Sequence, residues 1–329
     1  MDVNYYIINN KLNQSKKGNI MASFAYIKEL FEKKDKNGNG YLDLLVIGSD
    51  KKEYPAKVWQ FDNNGQFEKD DVVEIEYTLD NYRGKNQLTI TSIKKAPSDM
   101  IKEFVPASEH DGKAVFAMLL NKVNNFKDEE LKAIVKDIML QNREALEVFP
   151  AAYRLHHAIV GGLMLHTASI VEMAEKTCEV YPNINRELLL AGAILHDVAK
   201  TFEMNTGKTG LCTGYTVGGE LIGHLVKGAM MVNDTAKKLG ISSETVTLLE
   251  HMILSHHGIP EYGAAVRPMF LEAEILSTLD SLDATIFEFN SAASKVEPGE
   301  FSDRQWMLDN RKVFNHGLAP SDYKVNLGE

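Results

Sequence analysis

The hydrophobic pattern of this chain changes period once, and that change splits it into two differently built halves. From Met21 to about residue 95, apolar and polar residues alternate in short runs: "FAYIKELFEKK", "YLDLLVIG", "YPAKVWQF", "DVVEIEYTL" and "NQLTITSIK". Between them stand "DKNGNG", "GSDKKE", "DNNGQ" and "NYRGK". Alternation is the mark of a half-buried strand, and clustered Gly, Asn and Asp are turn chemistry. Five short strands in sequence predict a small barrel over residues 21–97, with the OB-fold as its expected form.

Past "KKAPSDMIKEFVPASEHDGK", a Pro-marked polar connector, apolar residues recur at helical spacing to about residue 290. Helices are expected at 113–125, 128–147, 162–180, 186–202, 218–239, 243–256 and 269–288. Asp128 and Asn185 stand at N-cap positions, and Gly240 and Gly258 where helices should stop. The expected organisation is a multidomain β plus all-α chain. Residues 1–20 form a leader or extension, 21–97 the barrel, 98–112 a linker, 113–290 a helical domain and 291–329 an irregular tail.

A net charge of −10 argues against a protein that coats duplex DNA by bulk electrostatics, which needs clustered Lys and Arg. The barrel segment is near neutral, with 12 basic and 13 acidic residues over 21–95. A local grip on a single strand, through Trp59, Tyr82 and Arg83 with Tyr54 and Lys85 beside them, remains compatible with that charge. "DKNGNG" imitates the start of an EF-hand loop, but Val46 would stand where a bidentate Glu is required, so it reads as a hairpin turn. Two cysteines without a CxxC spacing exclude a disulfide framework and a thiolate zinc site. No signal peptide or bilayer-length apolar run is visible, so a cytoplasmic protein without membrane contact is expected.

"LLLAGAILHDVAK" is the stretch that points to chemistry. An almost wholly apolar helix carries His196 and Asp197 side by side, then Lys200. Buried charge is costly unless paired or metal-bound. Around it, nine of the ten histidines fall between 110 and 257. His166, then His196 with Asp197, then His224, then His256 with His257, then Asp280 lie on separate expected helices or at their ends. Mixed imidazole and carboxylate donors gathered from several helices suit divalent transition metals. The set is a candidate for two ions.

With "GGLMLHT", "LHDVAK", "IGHL", "LSHHG" and "LDSLDA" in order, residues 150–290 resemble the HD-domain metal-dependent phosphohydrolases. The whole chain, through "RLHHAIVGGLMLHT", "MILSHHGIPEYG" and "GEFSDRQWMLDNR", resembles the YhaM type of 3′-to-5′ exoribonuclease, an OB-fold followed by an HD domain. The resemblance implies that His166, His196, Asp197 and Asp280 hold one ion, with Asp197 bridging to a second held by His224, His256 and His257. Bridging needs both carboxylate oxygens. Asp197 and Lys200 would be the catalytic pair, the ammonium neutralising phosphate. Manganese is the first candidate ion, and iron, cobalt, nickel, magnesium and zinc are compatible with the same donors.

Four further positions are expected near substrate: His156 and His157 by the pocket, and Arg304 and Arg311 in the tail as phosphate contacts. His251 and Asp283 read as supporting residues at most. The implied reaction is metal-dependent hydrolysis of single-stranded RNA, or of single-stranded DNA, from the 3′ end, and a homo-oligomer would suit processive trimming. Two other readings stay open: a phosphohydrolase of nucleotides or cyclic dinucleotides, and a non-catalytic RNA-binding module.

Overall fold

Five strands close on themselves in the N-terminal half: β1 (Met21–Lys34), β2 (Gly40–Gly48), β3 (Glu53–Trp59), β4 (Val72–Tyr82) and β5 (Lys85–Lys95). Their order around the barrel is β1-β2-β3-β5-β4, and β1 pairs with β4 to shut it. Only β3 and β5 run parallel. This is the five-stranded OB-like barrel that the alternation implied. Its inward set, including Ile27, Leu42, Leu44, Val46, Val58, Ile75 and Ile90, is buried in one core. The "DKNGNG" segment is a hairpin turn, in which Asp35 Oδ1 accepts from the backbone N–H of Asn37 and Asn39.

In this computed structural model the described residues are 20–82, 85–97, 100–153, 157–318 and 325–327. Residues 1–19 of the expected leader, Arg83, His156 and the side chain of Tyr82 lie outside them. The chain divides between Val105 and Pro106 into two units. The first ends in a short helix, α1 (Ile101–Phe104).

The second unit is built on α2 (Gly112–Asn124), α3 (Glu129–Gln141), α4 (Arg143–Leu146), α5 (Gly162–Val180), α6 (Arg186–Leu195), α7 (Lys200–Glu203), α8 (Val217–Leu239), α9 (Glu244–Ser255) and α10 (Leu271–Ala293). α6 is its axis. Residues 188–195 are all buried, and α3, α5, α9 and α10 pack around them. A helix apolar on every side is stable only in the centre of a bundle, and each fully buried Leu there contributes roughly 1.5–3 kcal/mol. Asp128 and Asn185 cap α3 and α6 as expected. Among the described residues no helix is long and apolar enough to cross a membrane.

Three expected helices are interrupted. The one expected over 128–147 breaks at Asn142, whose side chain takes the Ile138 carbonyl in competition with the helix ladder. The one over 186–202 stops at Leu195, turns through residues 196–199, and resumes as α7. The one over 218–239 kinks at Gly223, whose φ of 73° only glycine adopts readily. The helical half also contains a hairpin absent from the sequence reading, β6 (Met204–Thr206) with β7 (Cys212–Tyr215).

Candidate metal centre

The two interruptions in α6–α7 and α8 build the centre. A helix end leaves its last carbonyls without partners, and two histidines exploit this. His196, just past α6, donates Nδ1–H to Ala193 O at 2.8 Å, and His256, just past α9, donates Nδ1–H to Ile253 O at 2.8 Å. His257 donates Nδ1–H to Tyr262 O at 2.8 Å. The remaining two rings use carboxylates: His166 donates to Asp283 Oδ2 at 2.7 Å, and His224 to Glu203 Oε1 at 2.9 Å. In all five rings the Nδ1 proton is committed outward. The Nε2 atoms of His166, His196, His224 and His256 face Asp197.

Asp197 divides these rings between its two oxygens. On the Oδ2 side stand His196 Nε2 at 3.3 Å and His166 Nε2 at 3.6 Å, with Asp280 Oδ1 3.1 Å from His166 Nε2. On the Oδ1 side stand His224 Nε2 at 3.5 Å and His256 Nε2 at 3.7 Å, and His257 lies within metal-ligand reach of those two. Asp197 Oδ1, His224 Nε2 and His256 Nε2 are buried without any hydrogen-bond partner. Three electron-rich atoms turned toward one another with no proton between them are costly. A cation removes that cost, so the donor set fits a metal ion on each side of Asp197.

The electrostatics agree. Burial opposes charge on His166, but hydrogen bonds to Asp280 and Asp283 push its pKa up to about 10, so the carboxylates around it favour positive charge at its Nε2, either a proton or the metal ion that would displace it. Burial and the neighbouring His256 and His224 push His257 down to about 4, which leaves it neutral and able to ligate. Burial also opposes ionisation of Asp197, but Lys200 and His196 hold its carboxyl far below the usual carboxylate range. Lys200 Nζ lies 2.7 Å from Asp197 Oδ2.

The HD domain family model matches residues 163–285, a span containing every one of these donors. HD domains are metal-dependent, and the clusters above are able to bind metal. The 3′-5′ exoribonuclease YhaM of Listeria welshimeri is 33% identical over 303 residues, covering 91% of this chain and 96% of the relative. The chain belongs to the YhaM family of 3′-5′ exoribonucleases. The YhaM proteins of Geobacillus and Bacillus pumilus are each 32% identical, over 88% and 84% of this chain respectively.

In this YhaM-family chain, then, His166, His196, Asp197, His224, His256, His257, Asp280 and Lys200 are brought together. Other expected positions are not. His157 is fully buried and donates Nε2–H to Asp283 Oδ2 at 2.9 Å, so it stands behind His166 instead of in an open pocket. Arg304 and Arg311 donate to the carbonyls of Asn310 and Leu308 and so hold the tail's own turn. His251 Nε2 accepts from Met269 N and its ring lies against Phe270. In the barrel unit, Trp59 is 45% exposed and its ring sits 4.7 Å from that of Tyr41, with Lys57 Nζ over both. The Tyr54 hydroxyl instead donates to Asp50.

Glu203 is the functional residue that the sequence reading missed. Its Oε1 takes both the ring and the backbone N–H of His224, at 2.9 and 3.1 Å, and so also caps the helix that restarts after Gly223. A carboxylate six residues beyond an HD pair is the available signal, but "KTFEM" looked like ordinary helix.

Proposed function

We propose that this protein is a metal-dependent 3′-to-5′ exoribonuclease that shortens single-stranded RNA, releasing nucleoside monophosphates. The observation that carries the reading is the division of Asp197: one oxygen faces His166 and His196, with Asp280 against His166, and the other faces His224 and His256, with His257 grouped beside them. His166, His196, Asp197 and Asp280 would hold one divalent ion, and Asp197, His224, His256 and His257 the second. Manganese is the first candidate, and iron, cobalt, nickel, magnesium and zinc are compatible with the same mixed imidazole and carboxylate donors.

Bound there, such ions supply Lewis acidity to a water and to phosphate oxygens. The chain's own groups do the rest. Lys200 carries a firmly held charge, since Asp197, Asp280 and Glu203 outweigh its burial. Its ammonium is placed to offset phosphate charge as the phosphorus–oxygen bond to the leaving 3′-oxygen breaks. Asp283 and Glu203 fix two ring orientations, so the donors need not reorganise. On the barrel, the exposed Trp59 with Tyr41 and Lys57 supports a surface on which bases of the incoming strand stack. Tyr82 and Arg83 remain proposed neighbours of that surface, and His156 of the pocket. Two free thiols, Cys178 and Cys212, suit a reducing cytoplasm, and self-association into a channel would suit processive trimming.

The test is a 5′-labelled single-stranded RNA incubated with and without Mn²⁺, beside Asp197→Ala. A metal-requiring ladder of shortening strands, lost in the variant, is expected. Intact RNA in every lane overturns the reading and favours nucleotides or cyclic dinucleotides as substrate.

A further inference from the structure

The hairpin β6–β7 leaves the metal centre and returns to it. It starts at Met204, immediately after Glu203, whose carboxylate holds His224, and ends at Tyr215, which pairs in register with Met204. The return is clamped: Thr216 donates its N–H to Glu203 O at 2.9 Å and its hydroxyl to Phe202 O at 3.0 Å. Tyr215 is therefore fixed beside the residue that orients one metal ligand. Tyr215 is 44% exposed, and its ring meets that of Tyr153 edge to face, with centroids 6.1 Å apart and planes at 76°. Tyr153 precedes His157 in the chain by four residues, and His157 shares Asp283 with His166. Two aromatic rings thus come from segments tied to the two opposite halves of the centre.

Resting on the exoribonuclease reading, we propose that Tyr215, buttressed by Tyr153, is the platform on which the base of the 3′-terminal nucleotide stacks. An aromatic face held beside the centre matches the one feature shared by all four bases, a π face, and so gives grip without sequence preference. The T-shaped contact holds one ring upright while leaving part of its face open. The phenol also senses the centre's charges: burial raises its pKa, with Glu203 adding to the shift and Lys200 opposing it. The platform would hold the nucleotide to be released by its base.

The test uses the full-length, metal-loaded protein on two RNAs that differ only at the 3′ end, one with its terminal base and one ending in an abasic ribose. For Tyr215→Ala, KM on the complete RNA rises about tenfold while kcat changes little, because a stacking contact is lost and the chemistry is not. On the abasic RNA, Tyr215→Ala and the unaltered protein have the same KM. Tyr215→Phe restores KM on the complete RNA, and Tyr215→Leu, which keeps an apolar group against Tyr153, does not. Equal losses on both RNAs, or a KM unmoved by Tyr215→Ala, overturn the platform while the exoribonuclease reading stands. An unaltered protein that leaves both RNAs intact overturns that reading, and the platform with it.

Discussion

Asp283 Oδ2 accepts two hydrogen bonds at once, from His166 Nδ1 at 2.7 Å and from His157 Nε2 at 2.9 Å. Burial works against its ionisation, yet these two contacts hold its carboxyl well below the usual range. One side of the centre is therefore oriented by a buried carboxylate from α10. Glu203 does the same for His224 on the other side.

A carboxylate behind a ligating imidazole fixes the tautomer and raises the basicity of the ring. Its loss typically costs about 10- to 100-fold in metal affinity. Asp283→Asn and Glu203→Gln should each weaken binding of one of two Mn²⁺ ions by about that factor while leaving the other, as calorimetric titration would resolve. Affinities unchanged in both variants would mean that these carboxylates only fill space.

Lys200→Met separates charge at the phosphate from metal binding. The ammonium lies 2.7 Å from Asp197 Oδ2, on a residue already surrounded by imidazoles. Removing it leaves Asp197 more electron-rich, so metal content should hold or rise. kcat should fall about 100-fold if the ammonium offsets charge in the transition state. Parallel loss of metal and activity would instead assign Lys200 a structural part.

The barrel and the clustering of candidate donors were legible in the sequence because both are written in spacing, while the sharing of those donors between two ions came only from the family resemblance. Period two with turn residues predicts strands, and donors such as His224 and His256 fell on expected helices or at their ends in a readable order. Chain breaks were not legible. Whether α6 runs on past Leu195 depends on His196 finding the Ala193 carbonyl, and whether α8 is continuous depends on Glu203 taking the backbone and ring N–H of His224 just after Gly223. Both are tertiary facts. His157 illustrates the same limit: two adjacent histidines suggested an open pocket, whereas Asp283, 126 residues away, draws one of them inside.

Acid should weaken the helical unit through Glu175. Burial raises its pKa, but the bidentate hydrogen bonds from Arg186 and the charge of Lys122 outweigh that and hold the folded carboxyl below the ordinary glutamate range. A depressed carboxylate contributes stability that is fully present above the unfolded pKa and is lost as pH falls through the folded one. Arg186→Ala should therefore cost about 1 kcal/mol near neutrality, because the guanidinium is partly exposed and screened. That cost should shrink below about pH 4, where Glu175 becomes protonated in the unfolded chain. Thermal melts of both proteins across this range measure it, and a cost that stays constant into acid would rule the pair out as the source.

Trp59 tests whether the barrel touches substrate at all. Its charge count is near neutral, with 12 basic and 13 acidic residues over 21–95, so general attraction cannot hold an RNA strand there. What remains is local: Trp59 against Tyr41, paired in register across β2 and β3, with Lys57 over both rings. Stacking a base on such a surface contributes about 1–3 kcal/mol. Trp59→Ala should thus weaken binding of a long single strand roughly tenfold or more, with little change on a dinucleotide that reaches only the helical unit. Lys57→Ala should lower the salt dependence of binding by about one phosphate contact. Trp59 is exposed and Lys57 borders it, so neither change disturbs the barrel core, and a lost affinity reads directly as a lost contact. Binding of the long strand that survives Trp59→Ala undiminished would confine recognition to the helical unit.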